Sequence, residues 1–186
     1  MKLIVATDET GGIAKDGIIP WSCPEDMDFF KTMTIGNQVI MGGNTFNTFK
    51  KPLPFRKNYI LTKNDELIYS GIVNTKGVVE FASFERLFRS GEFSCSWVIG
   101  GGQVYAAALP YATEIYMSVI KGDYKCDLFF PKIPPTFVEL AQIKLSENCT
   151  VHKYINWTYL SDYHKLKLIE KIEISLNIQP LKSGVL

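Results

Sequence analysis

No two of the four cysteines form a CxxC pair: Cys23, Cys95, Cys126 and Cys149 are scattered along a 186-residue chain. Neither a zinc site nor a dense disulfide framework is indicated, and buried or reduced thiols are expected. Long apolar runs are missing too. The N-terminal LIVA is too short for a signal peptide or a spanning helix, and no other stretch approaches spanning length. Nor is there an excess of charge, since twenty basic and nineteen acidic residues leave a formal +1. That balance suggests neither a nucleic-acid footprint nor a membrane-surface patch. With 46% hydrophobic and 21% charged residues, the chain suits one compact domain with a sizeable core, in a soluble cytoplasmic protein.

What the sequence does contain is a set of short apolar runs ending in polar or glycine turns. Val39 to Met41 runs into Gly42, Gly43, Asn44 and Thr45; Tyr59 to Leu61 into Thr62, Lys63 and Asn64; Trp97 to Ile99 into Gly100, Gly101 and Gly102. Each reads as a buried strand. Helices are expected at 24–34, 44–49, 83–89 and 103–109, and the alternation predicts an α/β fold with a parallel sheet. Ligands then belong at the carboxyl ends of the strands. The segment IYMSVI alternates like a strand, and pieces near 137–145 and 152–160 suggest a C-terminal antiparallel hairpin.

Within the helix predicted at 24–34, Asp26 stands where an apolar residue belongs. Ser22 is a possible N-cap and Pro24 lies in the first turn. At about 100° per residue, Asp26 falls in the middle of an arc made by Cys23, Phe29, Phe30 and Met33, with Met27 at its edge. Glu25, Asp28, Lys31 and Thr32 take the other side. A carboxylate facing aromatic side chains loses hydration, which is how a proton-handling group is kept. A first-turn acid also interacts well with the helix dipole, so the helix alone leaves a structural role open.

The run VIGGGQVY, residues 98–105, has three glycines between a strand and a helix. Such a turn lets backbone amides approach a pyrophosphate. It is not GxGxxG, because Tyr105 stands where the last glycine would be, and it lacks a Walker ending. A tight strand-to-helix connection would use the same glycines. The second turn, GGNT at 42–45, adds a place for the other half of a dinucleotide, and Thr62 with Lys63 offers a hydroxyl and a cation for one more phosphate.

These residues resemble the dihydrofolate reductase family. The resemblance lies in GGIAKDGIIPW (11–21), PEDMDFFK (24–31), VIMGGNTF (39–46), PLPFRKNYILT (52–62), VIGGGQVY (98–105) and DLFFP (127–131), in the family's order. It implies a catalytic domain over 1–160 with an eight-stranded, mostly parallel sheet flanked by helices and a C-terminal antiparallel hairpin. It also implies reduction of dihydrofolate to tetrahydrofolate with NADPH, and binding of antifolate-like small molecules. Asp26 matches the active-site carboxylate, Trp21 the indole that closes the pocket, and Ser118 the hydroxyl that partners the carboxylate. Val5, Ala6, Met27, Phe30, Phe49, Leu53, Ile99 and Tyr105 match the substrate pocket, and Arg56 the arginine that takes the substrate's glutamate carboxylate. Cofactor positions fall on Ala6, Ile13, Gly42, Gly43, Asn44, Thr45, Leu61, Thr62, Lys63, Gly100, Gly101, Gly102, Gln103, Val104 and Tyr105. Residues 11–19 match the mobile loop that closes over the nicotinamide.

The sequence departs from the family pattern at several points. Gly43 and Gln103 stand where many members carry a cation, and Asn44 replaces another frequently basic or polar residue. Preference for NADPH over NADH then rests largely on Thr62 and Lys63, and weaker discrimination than the family norm is expected. Phe46 replaces a usual tryptophan and Ala14 a usual loop glycine. A flavin-pathway pyrimidine reductase uses the same fold, but PEDMDFF and Arg56 favour folate. A dinucleotide-binding or scaffold protein without turnover is disfavoured by the presence of Asp26, Trp21, Ser118 and Arg56 together.

Residues 161–186 lie outside the resemblance. Tyr163, Leu166, Ile169 and Ile172 recur at helical spacing, whereas Ile172, Ile174, Leu176 and Ile178 alternate like a strand. DYHKLKLIEKI has a faint similarity to the opening of thymidylate synthase, which is fused to dihydrofolate reductase in some organisms. A tail element packed on the domain is the commoner arrangement, with a monomer expected and a tail-mediated dimer as the alternative.

Overall fold

A computed structural model of the protein describes residues 1–49, 51–61, 73–74, 77–82 and 95–175. The strands are β1 (Lys2–Asp8), β2 (Gly12–Ala14), β3 (Gln38–Gly42), β4 (Lys57–Leu61), β5 (Val73–Asn74), β6 (Gly77–Ala82), β7 (Trp97–Gly100), β8 (Glu114–Ile120), β9 (Leu128–Phe129), β10 (Phe137–Ser146) and β11 (Cys149–Asn156). The helices are α1 (Pro24–Thr34), α2 (Gly43–Phe49), α3 (Gly102–Ala108) and α4 (Asp162–Ser175). The main sheet runs β10-β11-β8-β1-β7-β3-β4-β6-β5. From β8 to β6 every neighbouring pair is parallel, and antiparallel partners close both edges. The ninth strand, beyond the eight expected, is the two-residue β5.

Burial explains the sequence of the inner strands. β1, β3, β4 and β7 carry near-continuous buried runs because helices cover both faces of the sheet. On one face Ile4, Val39, Met41, Ile60, Ile99 and Tyr116 pack against Phe29, Phe30 and Met33 of α1 and Phe46 and Phe49 of α2. On the other, Leu3, Val5, Ile40, Tyr59 and Val98 pack against Tyr105 and Ala108 of α3. Among the described residues no helix is long and apolar enough to cross a membrane.

Several expectations shift in the structure. The N-cap of α1 is Cys23, not Ser22, because Pro24 takes the first helical position and fixes the start one residue later. α3 ends at Ala108, since Pro110 lies in the following 3-10 turn and offers no N–H. β11 occupies Cys149–Asn156 rather than 152–160. Its end is set by Asn156, whose side-chain oxygen accepts from the Thr158 N–H at 3.1 Å and turns the chain. LIVA forms the interior of β1, and β2 with β9 makes a separate two-stranded sheet. The helix expected at 83–89 lies outside the described residues.

The tail is helical over Asp162–Ser175, which decides its ambiguous period up to that point. The stripe of Tyr163 and Leu166 is exposed, at 66% and 60%, whereas Leu168 is the buried contact. Removal of residues 161–186 is expected to expose what Leu168 covers and to lower the melting temperature by a few degrees; an unchanged melting curve and elution volume would exclude a packing role.

Asp8 closes β1 and organises the loop beyond it. Its Oδ1 accepts from the Thr10 N–H (2.9 Å), the Thr10 hydroxyl (2.7 Å) and the Gly12 N–H (2.8 Å), and its Oδ2 accepts from the Tyr124 N–H (3.1 Å). Desolvation pushes this buried carboxyl up, but those bonds outweigh it and hold it below the ordinary carboxylate range. A folded-state value below the unfolded one means stabilisation that is present above the unfolded pKa and lost as pH falls through the folded one. Asp8→Asn is expected to cost about 1–3 kcal/mol at neutral pH and to flatten the acid limb of stability, as urea titrations from neutral pH to pH 3 will show.

Candidate functional site

The parallel strands deliver their carboxyl ends to one edge, and the candidate residues gather there. Parallel pairing sets Ala6 beside Ser118 and Ile4 beside Tyr116, so Ser118 faces the side of the sheet covered by α1. From α1, Asp26 points to the same side, half-buried, while Glu25, Asp28, Lys31 and Thr32 are exposed. Desolvation holds the Asp26 carboxyl above the ordinary range, and the Ser118 hydroxyl works against that shift. Ser118 is completely buried, and its hydroxyl makes no well-formed hydrogen bond. A buried hydroxyl of this kind is normally completed by another polar group. The buried Tyr105 hydroxyl donates to the Ile4 carbonyl at 2.7 Å, and its acidity is suppressed by burial and by the charge of Asp26.

Arg56 stands at the far end of α1. Its Nη1 donates to Thr34 Oγ1 at 2.9 Å and its Nε to the Pro54 carbonyl at 3.1 Å; Thr34 in turn donates to the Phe30 carbonyl at 2.7 Å. The guanidinium lies 5.7 Å from the Phe30 ring centroid. Burial disfavours its charged form, and none of the described ion pairs gives it a carboxylate. The loop bearing Arg56 is tied down by buried Asn58, which accepts from the Leu53 N–H and donates to the Leu53 and Arg56 carbonyls, each at 3.0 Å. Sequence reading missed Thr34, Asn58 and Asp8. Thr34 carried a signal, as a polar residue beside the apolar arc of α1. Asn58 and Asp8 carried none, because their partners are backbone groups fixed only by the fold.

The sheet separates the remaining candidates. Phe30, Phe49, Leu53 and Ile99 share the cluster on the α1 face, while Val5, Ile13, Leu61, Val104 and Tyr105 share the one on the α3 face. Ala6 is half-buried, and Met27 is 57% exposed at the outer edge of α1. Trp21 packs edge-on against Tyr124, with centroids 5.3 Å apart. The loop leading to Trp21 is pinned at its base: the Asp16 N–H donates to Asp127 Oδ2 at 2.9 Å and the Asp127 N–H to the Ala14 carbonyl at 3.0 Å. Its tip leaves Ile18 and Ile19 exposed.

The two glycine turns meet, because β3 and β7 are neighbours. A Cβ on Gly42 would lie 3.2 Å from Val104, and one on Gly101 would lie 3.1 Å from Thr45 Oγ1. The Gly100–Gly101 peptide is cis, and Gly100 has φ +136°. A Cβ on Gly43 would meet nothing within 4 Å, so its backbone is open to close approach. Asn44 and Gln103 are exposed, and Thr45 and Gly102 half-buried, at the starts of α2 and α3. Unpaired first-turn amides beside bare glycine backbone suit a pyrophosphate, so these residues fit a dinucleotide cofactor. Thr62 and Lys63 lie outside the described residues.

Comparison with known proteins agrees with this geometry. Residues 1–160 match the family model described as dihydrofolate reductase. The chain is 35% identical over 135 residues to dihydrofolate reductase of Bacillus subtilis, covering 71% of this chain and 76% of that one. It is 35% identical to dihydrofolate reductase type 3 of Salmonella typhimurium, covering 70% and 78%. A solved dihydrofolate reductase from Enterococcus faecalis, complexed with NADP(H) and RAB-propyl, superposes with a TM-score of 0.69 at 29% identity, over 83% of this chain and 94% of that one.

The raised Asp26 pKa has a consequence for stability. A folded-state value above the unfolded one means that the contribution is favourable below the unfolded pKa and is lost as pH rises through the folded one. Asp26→Asn is therefore expected to be more stable than the parent at neutral pH, by about 1 kcal/mol, with the difference shrinking below pH 4. Ser118→Ala is expected to raise the Asp26 pKa further, as carboxyl carbon NMR titration will show.

Proposed function

The chain belongs to the dihydrofolate reductase family, an NADPH-dependent oxidoreductase that reduces 7,8-dihydrofolate to 5,6,7,8-tetrahydrofolate, and from that premise we propose how its own side chains divide the work. Asp26 accepts hydrogen bonds from the pterin's amino group and ring nitrogen and promotes protonation of the imine nitrogen. A carboxyl held above the usual range suits that task, because it stays close to proton exchange nearer neutral pH. Ser118 orients the same group and completes its own hydrogen bonding there. Trp21 covers the carboxylate and keeps bulk water off it. Phe30, Phe49, Leu53 and Ile99 wall the pocket, with Ala6 at its floor and Met27 at its mouth; Val5 and Tyr105 support it from the other face. NADPH, when bound, supplies the hydride that adds to the carbon beside the protonated nitrogen.

Arg56 takes the substrate's glutamate carboxylate. Its two neutral hydrogen bonds orient the guanidinium without cancelling its charge. The turns at Gly42, Gly43, Asn44 and Thr45, and at Gly100 to Val104, hold the cofactor's pyrophosphate. Ile13 and Leu61 flank it, and Thr62 with Lys63 reads the additional phosphate. The observation that carries this reading is the placement of Asp26 on α1 and, beside its far end, of a buried Arg56 with no carboxylate partner among the described residues, as a ligand with a basic ring and an acidic tail requires. Residues 1–160 form the catalytic unit, and we place it in the cytoplasm as a monomer.

The test is the loss of NADPH absorbance on adding dihydrofolate. Asp26→Asn is expected to lower kcat about 10²–10⁴-fold at neutral pH, with partial recovery at low pH, where the substrate arrives protonated. Arg56→Ala is expected to raise KM for dihydrofolate about 10–100-fold with a smaller effect on kcat, and to have little effect on turnover of a pterin lacking the glutamate. NADPH is expected to outperform NADH, by less than an additional cation would allow. Full activity of Asp26→Asn at neutral pH would overturn the role given to Asp26.

A further inference from the structure

Beside the catalytic cleft, on the far side of Trp21, two of the cysteines meet. Cys23 is the N-cap of α1, and Cys149 opens β11, in register with Ile120 of β8 and Ser146 of β10. Both are buried, and with Ile120 they form a small cluster packed by Trp21, Tyr124 and Leu145. The two side chains share this cluster, close enough for each to act on the other's ionisation. Burial, with that contact adding to it, pushes the Cys149 thiol up to about 12, so at neutral pH it stays protonated. Cys23 sits at the edge of the cluster, on a cleft also lined by Ser22, Glu25, Lys121 and Asn148. Its thiol donates to Glu25 Oε2 at 3.5 Å, which orients it at the mouth of that cleft. The other two cysteines lie elsewhere: Cys95 is exposed before β7, and Cys126 packs against Gly12.

We propose that Cys23 and Cys149 are a redox-active thiol pair that closes to a disulfide by exchange with a small-molecule disulfide such as oxidised glutathione, clamping the start of α1 to the C-terminal hairpin. Cys23 gives up its proton and its sulfur attacks one sulfur of the small disulfide; that S–S bond breaks and one small thiolate leaves and is protonated. The Cys149 sulfur then attacks Cys23 in the mixed disulfide, its proton passes to the departing group, and the second small thiol leaves. Two protein thiols lose two electrons in total, and the small disulfide gains them as two thiols. The clamp joins segments far apart in sequence, so it removes freedom from the unfolded chain as well as from the helix start.

The full-length protein, equilibrated in glutathione buffers from reducing to oxidising, tests this. Thiol titration after denaturation is expected to fall from four to two, with an intact mass lower by about two daltons and a peptide linking residues 23 and 149. Dithiothreitol is expected to restore all four, and the oxidised form is expected to melt several degrees higher. Cys23→Ser and Cys149→Ala are each expected to keep their remaining thiols without an internal bridge. The proposal is overturned if all four thiols persist in the most oxidising buffer, if a glutathione adduct stays on Cys23 with Cys149 reduced, or if the bridge forms through Cys95 or Cys126.

Discussion

The parallel pairing of β1 between β8 and β7 is the constraint on which the rest depends. Pairing with β8 turns Ser118 toward α1, and pairing with β7 brings the Gly100–Gly102 turn to the same edge. A slip of one residue between β1 and β8 would turn Ser118 to the α3 face and leave Asp26 against an apolar residue. β1 has no free choice in this, because it is buried on both faces and its neighbours are fixed by Leu3, Val5 and Ile4 in two separate clusters. The site is thus a product of sheet register before it is a product of side-chain chemistry.

Two carboxylates show how environment divides labour. Asp8 and Asp26 both face desolvation, yet one is held below the ordinary range and the other above it. The difference is the count of donors. Asp8 collects backbone N–H groups that are already committed by the fold, so its charge is the stable form and its role is to hold a loop. Among the described residues Asp26 has only a serine hydroxyl in imperfect geometry, so its charge costs stability and remains available to a ligand. Stability and function are served by the same residue type because the fold decides which receives the donors.

How far this was legible in the sequence depends on whether the cause was local. The apolar arc of α1 and the misplaced Asp26 repeat with the helix period, and Cys23, Asp26, Phe29, Phe30 and Met33 are all turned from solvent, with Thr34 beside the arc buried most deeply and Met27 at its edge exposed. The glycine turns were visible because glycine marks close backbone approach. β1 was not, since LIVA is too short to show a period, although it runs into the polar and glycine turn of Asp8 to Gly12. The boundary of β11 was misplaced because Asn156 ends it through a side-chain bond that alternation does not encode. The tail's period was ambiguous, and its buried contact, Leu168, falls off the stripe that looked apolar. Arg56 was recognised, but its setting was not: Thr34, Pro54 and Asn58 converge on it only after α1 and β4 are placed.

Arg56 is held by a hydroxyl and a carbonyl, both neutral, so among the described residues the guanidinium is aimed without a counter-ion. Small anions in solution can therefore occupy it, and they do so in competition with any carboxylate ligand. The apparent affinity for an acidic tail then depends on which salt is present as well as on how much, and an anion that fits the fork, such as phosphate or sulfate, acts as a weak competitive inhibitor where chloride merely screens.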